Sequence, residues 1–189
     1  MTLISENKDN KVMMFIDLRN VLKSVESMEA MSFRLDLYAL TINILGSREL
    51  VAAYVFDSKA REGTEDRSKK LHDRLRYLGF RVITRDAFDP DAREQKEVDV
   101  AMASEMLVHA LRNHFDVAIV VSGDRDFIPA IEHVKAAGKR VEVAAFAHSV
   151  SSAVRQSADK FYELEKMPLL FMNNPPAAVE TAEAAEEAA

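Results

Sequence analysis

Short runs of apolar residues along the chain alternate with longer stretches in which apolar residues recur every three or four positions. Residues 12–18 (VMMFIDL) are apolar on both alternating faces, as a central strand covered by helices on both sides requires. Further apolar or β-branched runs stand at 50–56, 81–84, 117–121 and 141–146. Between them, 66–78 sets Leu71, Leu75 and Leu78 on one helical face, with Gly79 as the stop. The same period runs through 98–113, and through 126–137 by way of Phe127, Ala130, Ile131 and Val134, ending at Gly138. Residues 149–152 offer caps for a short helix, and 161–164 form a candidate edge strand. Strands alternating with helices predict an α/β fold: three layers, with a mainly parallel central sheet and helices on both faces.

Composition narrows this without changing it. At 189 residues and 48% hydrophobic, the chain supplies one core and leaves no room for a second large domain. The domain is expected over 11–171, after a polar lead at 1–10 and before an acidic Ala/Glu-rich tail at 172–189, which has too few large apolar residues to offset its ordering entropy. Residues 1–10 (MTLISENKDN) lack the pattern of a signal peptide, and no apolar run approaches the length of a membrane span, so a cytoplasmic protein is expected. The absence of cysteine removes disulfides, zinc–thiolate sites and a cysteine nucleophile together. The net charge is −6, which excludes nucleic-acid binding by bulk charge but not a local basic patch.

The acids fall where chemistry is expected. In open parallel sheets ligands gather beyond the carboxyl ends of the strands, at the point where strand order reverses. Asp17 closes the first run, Asp57 the second, and Ser122-Gly123-Asp124-Arg125-Asp126 follows the fourth. Asp99 opens the helix at 98–113, and Ala103, Met106 and Ala110 lie within about 40° of it around a 3.6-residue helix. Its carboxylate is therefore expected on the stripe that faces the sheet. Clustered carboxylates repel one another unless a cation enters, and with no cysteine and no paired histidine ligands the fitting cation is Mg²⁺ or Mn²⁺. Such an ion makes a coordinated water more nucleophilic and stabilises charge on phosphorus. Simpler roles stand beside these: Asp124 and Asn20 as helix caps, Asp126 as a first-turn acid facing the helix dipole, Asp57 as a turn residue, and the five histidines as surface or amphipathic residues.

FIDLRN at 15–20, KEVDVAMASEM at 96–106, VVSGDRDF at 120–127 and SSAVRQSADKFYEL at 151–164 together resemble the NYN domain, in particular its LabA-like branch, over roughly residues 11–165. The order D-x-x-N, K-x-x-D, S-G-D-x-D-F carries the resemblance. It implies a PIN-like fold with strand order 3-2-1-4-5 and an acidic Mg²⁺ or Mn²⁺ site that nuclease members use to cut RNA. Carried over by motif, Asp17, Asp99, Asp124 and Asp126 are the catalytic candidates. Asp17, Asp99 and Asp124 are the metal ligands, and Asn20 and Ser122 support them. Leu18 departs from a frequent glycine, and Arg19 from a frequent small residue.

RNA is the implied partner. Residues 59–96 hold eleven Lys and Arg against eight acids, the best candidate for a phosphate-facing surface; Arg67, Lys69, Lys70, Lys96 and Arg19 are its candidate contacts. A solvated, ion-paired helix accounts for the same charges. The competing function is a non-catalytic LabA-like module that binds RNA or a protein partner, including a second copy of the chain. An aspartyl phosphatase needs D-x-D followed by Thr, and a dinucleotide-binding domain needs a glycine-rich first turn; neither pattern is present.

Overall fold

The computed structural model describes residues 11–27, 35–58, 65–85 and 93–167, with 65–67 and 93–96 described for their backbone alone. The expected lead at 1–10 and tail at 172–189 lie outside the described residues.

Six strands form one sheet among these residues: β1 (Lys11–Asp17), β2 (Glu49–Ser58), β3 (Arg81–Arg85), β4 (Val117–Val121), β5 (Arg140–Ala145) and β6 (Lys160–Glu163). Their order is β3-β2-β1-β4-β5-β6 and every neighbouring pair is parallel. The predicted order holds, and the candidate edge strand joins it as β6. Six helices connect the strands: α1 (Leu18–Glu26), α2 (Leu37–Leu45), α3 (Glu65–Tyr77), α4 (Arg93–Leu111), α5 (Ile128–Ala136) and α6 (Ser152–Ser157).

The continuous apolar run of β1 reads both ways because both faces are covered. Val12, Met14 and Ile16 pack with α1, α2 and α3, through residues such as Leu18, Leu40 and Leu75. Met13 and Phe15 pack with α4, α5 and α6, through Met102, Met106, Ile131 and Val154. Each such large side chain removed from water contributes roughly 1.5–3 kcal/mol, so the central strands are clamped from two sides.

Three elements differ from the sequence pattern. α2 has no counterpart in it: LYALTINIL is apolar nearly all round, so no periodic stripe marks it, and Asp36 starts it by accepting from the Tyr38 and Ala39 amides at 2.9 and 3.0 Å. α4 begins five residues before the predicted 98. The predicted helix at 126–137 is two pieces, a short 3-10 turn (Arg125–Phe127) and then α5, whose Pro129 sits in the first turn, where no amide hydrogen is needed.

All strands point the same way, so their carboxyl ends share one edge, and the order reverses between β1 and β4. Because α4 returns from the carboxyl end of β3 to the amino end of β4, its first turns lie at that same edge.

Candidate functional site

Asp17 ends β1 and caps α1 at once. Its backbone is still extended, and its Oδ1 accepts from the Asn20 N–H at 3.1 Å. Oδ2 accepts from Ser122 Oγ at 3.2 Å. The residue is fully buried. Burial pushes its pKa up; the Asn20 and Ser122 hydrogen bonds pull it down, and the nearby charges of Asp124 and Asp57 push up again, leaving it at about 6.

The β4 side is tied to it at several atoms. The buried Ser122 hydroxyl that donates to Asp17 also accepts from the Asp124 N–H at 3.1 Å, so one side chain links both acids. Asn20 Oδ1 accepts from the Gly123 N–H at 2.9 Å, fastening α1 to the same loop. Gly123 is required by close approach: a Cβ there would stand 2.9 Å from the Ser149 carbonyl oxygen and 3.3 Å from Val150 Cα. Ser24 Oγ donates to Ser149 Oγ at 2.9 Å, so α1, the loop after β4 and the loop after β5 form one interlocked rim.

Asp124 is half-buried and caps the 3-10 turn, its Oδ1 accepting from the Asp126 N–H at 2.9 Å. Capping and proximity to Asp17 therefore coexist in one residue. Asp126 is exposed. Asp99 lies in the early turns of α4, at the same edge of the sheet, but off the expected stripe. The buried residues of α4 are Val98, Met102, Met106 and Ala110, so Met106 and Ala110 lie where expected but the first turns bury the preceding positions, leaving Asp99 and Ala103 half-buried. Among the described residues, no three His, Asp or Glu side chains converge closely enough to hold a metal ion by themselves.

The basic candidates are spread apart. Lys69 and Lys70 are exposed on α3, while Arg67 and Lys96 have side chains outside the described residues, as do residues 59–64 and 86–92 of the basic segment. Arg76 is paired with Asp73 at 3.0 Å, and Arg81 donates to Tyr54 Oη at 2.7 Å.

Two residues read as ordinary from sequence are not so here. Asp57 is no exposed turn residue. It is buried within β2, one residue past Phe56, the register partner of Asp17, and alternation turns it toward α1 and α3 while Asp17 faces the α4 side. Its Oδ2 accepts from His72 Nε2 at 2.7 Å, and its Oδ1 from Arg19 Nε at 3.3 Å and from the Ser58 N–H at 2.8 Å. His72, expected as a surface or amphipathic residue, is only 6% exposed. No spacing rule links positions 57 and 72; the one available signal was that Asp57 closes a strand as Asp17 does.

A family model described as the NYN domain matches residues 11–165. No curated protein matches the chain. Among solved structures, the crystal structure of a protein of unknown function from Vibrio parahaemolyticus is similar in fold. Its TM-score is 0.70 at 22% identity, over 86% of this chain and 98% of that one.

Proposed function

The chain belongs to the NYN domain family, and from that premise we propose that it is a divalent-metal-dependent ribonuclease of the LabA-like branch. NYN domains typically act on RNA, and PIN-like nucleases generally depend on divalent metal. The observation that carries the reading is the Asp17 carboxylate: fully buried at the reversal of strand order, with its pKa pushed up to about 6 and with Asp124 linked to it through one hydroxyl.

That donor set fits a hard cation. Mg²⁺ or Mn²⁺ needs one or two direct carboxylates and completes its shell with water and substrate phosphate, so Asp17 and Asp124, with Asp99 from α4, would hold it. When bound, the ion supplies a more acidic water and neutralises charge developing on phosphorus. The protein's own side chains do the rest. Ser122 keeps Asp17 and Asp124 in register, Asn20 pins the backbone between them, and the exposed Asp126 adds negative charge at the rim. Lys69 and Lys70 on α3, with Arg67, Lys96 and Arg19, serve the RNA backbone. The working unit is residues 11–171, acting in the cytoplasm; among the described residues no helix is long and apolar enough to cross a membrane.

A second reading, RNA binding without cleavage, is favoured by one observation, the lack of a three-ligand cluster among the described residues. One experiment separates the two. Purified protein is incubated with labelled single-stranded RNA and DNA in Mn²⁺, in Mg²⁺ and in EDTA, alongside Asp124→Asn, which keeps the cap because Asn caps as well as Asp. The ribonuclease reading expects metal-dependent cutting of RNA, lost in EDTA and in the variant. RNA retained uncut in every buffer replaces it with the binding module.

A further inference from the structure

Arg19, Asp57 and His72 make a chain that the metal-ligand set does not use. Asp57 is 7% exposed and both of its oxygens are occupied, Oδ2 by His72 and Oδ1 by Arg19 and the Ser58 amide. The Arg19 guanidinium already balances the Asp57 charge, whereas among the described residues Asp17 and Asp124 accept only from neutral amides and a hydroxyl, and this separates Asp57 from the acids that a cation would relieve. What it does instead is hold an arginine. Arg19 is two residues past Asp17 in the first turn of α1, and its side chain is 48% exposed. Asp57 takes it by Nε alone; its terminal nitrogens carry no hydrogen bond among the described residues. Those two nitrogens are the planar fork that matches a pair of phosphate oxygens. An arginine fixed at its inner nitrogen, half in solvent and beside an acidic site, is arranged to receive an anion that the carboxylates alone would repel.

We propose that Arg19 grips a phosphate of the RNA strand next to the Asp17–Asp124 site, with Asp57 aiming the guanidinium and His72 anchoring Asp57. This rests on the ribonuclease or RNA-binding reading above and assigns the substrate contact within it. Arg19 is the contact residue; Asp57 and His72 are positioning residues. The departure at position 19 from the small residue common in the family is then a substrate grip.

The test measures binding of labelled single-stranded RNA to the full chain by fluorescence anisotropy, in Ca²⁺ and at several monovalent salt concentrations, with the RNA checked for integrity. Arg19→Ala, on a half-exposed side chain, is expected to weaken binding about tenfold and to flatten the slope of log affinity against log salt by about 0.7, the value of one single-strand phosphate. Arg19→Lys keeps the slope and loses part of the affinity, because it keeps the charge and loses the fork. His72→Leu weakens binding in the Arg19 background but not in the Arg19→Ala background, a non-additivity that general destabilisation does not produce, and His72→Gln restores it by donating to Asp57 again. Wild-type binding with an unchanged affinity and slope in Arg19→Ala overturns this proposal alone. No binding or cleavage of RNA by the wild type overturns the functional reading, and this proposal with it. If His72→Leu does not fold, the two Arg19 variants still decide the question.

Discussion

Asp17 is a carboxylate placed where its charge is opposed, and that makes it sensitive to pH. Its folded-state pKa of about 6 stands above the ordinary 3.8, so the folded protein favours the protonated form. The associated stability is fully present below about pH 4 and is lost as pH rises through 6. In EDTA, Asp17→Asn removes this loss. Its Oδ1 can still cap Asn20, and its amide can donate to the Ser122 hydroxyl. The variant is therefore expected to gain on wild type between pH 4 and 7, by roughly 1–3 kcal/mol, from the size of the shift. Urea unfolding at a series of pH values checks this, and a flat difference between the two proteins would remove the argument. With Mn²⁺ present the order is expected to reverse, because only the wild type gains from the bound ion. The same scale explains why Asp57 and Asp17 read alike in sequence and differ in the fold: each follows an apolar run at the carboxyl end of its strand, but Asp17 alternates toward α4 and Asp57 toward His72 and Arg19.

At the scale of elements, the rim of the site is held by loops that touch rather than by one helix or strand. Gly123 lies against the backbone of Ser149 and Val150, and neither can yield as a side-chain tip would. Gly123→Ala is expected to cost about 1–3 kcal/mol, as overpacking does, and to loosen the Asn20–Gly123 hydrogen bond that aligns the two acids; urea midpoints and RNA cleavage report the two effects. On the other side of the molecule, Glu142 of β5, 1% exposed, accepts from Arg48 Nη1 at 2.9 Å and from Tyr162 Oη at 2.9 Å, while Arg48 also donates to the carbonyls of Ile44 and Leu45. This cluster joins the end of α2 to β5 and the edge strand β6. Glu142→Ala leaves the half-buried Arg48 and Arg140 without their shared carboxylate and is expected to destabilise by about 3 kcal/mol. Glu142→Gln, whose one carbonyl oxygen can still accept from Arg48 and Tyr162 though its amide nitrogen then faces Arg140, is expected to cost less. Equal losses in both variants, measured by denaturant unfolding, would assign the effect to packing.

At the scale of the whole molecule, the chain carries −6 and concentrates acids at the carboxyl edge of its sheet, so the proposed RNA substrate would need a cationic surface near that edge to approach. On the proposed reading α3 supplies part of it, through the exposed Lys69 and Lys70. Replacing Lys69 and Lys70 with Glu is expected to weaken RNA binding and to reduce its salt slope by about 0.7 for each single-strand phosphate that is no longer neutralised. An unchanged slope would assign α3 to solvation. The acidic edge and the basic helix stay in fixed relation because α1, α2 and α3 pack on one face of the sheet while α4, α5 and α6 pack on the other.

The sequence by itself determined the alternation of strands and helices, the helix stops at Gly79 and Gly138, and the strand carboxyl ends at or near which Asp17, Asp57 and Asp124 fall. These are local properties: period, cap chemistry and β-branched runs act within a few residues. It did not reveal α2, because a helix that is apolar nearly all round leaves no periodic trace. It placed Met106 and Ala110 of α4 in the core but set the start of the stripe one residue late, at Asp99 and Ala103 instead of Val98 and Met102, since a helix's rotation is set by what it packs against. Only the tertiary structure decided that Asp57 belongs to His72 and Arg19, that one serine hydroxyl serves both Asp17 and Asp124, and that Gly123 must lack a side chain. Each of those facts depends on atoms 15 to 105 residues apart along the chain, and neither pattern nor propensity acts over such separations; burial and directed hydrogen bonds in the packed molecule do.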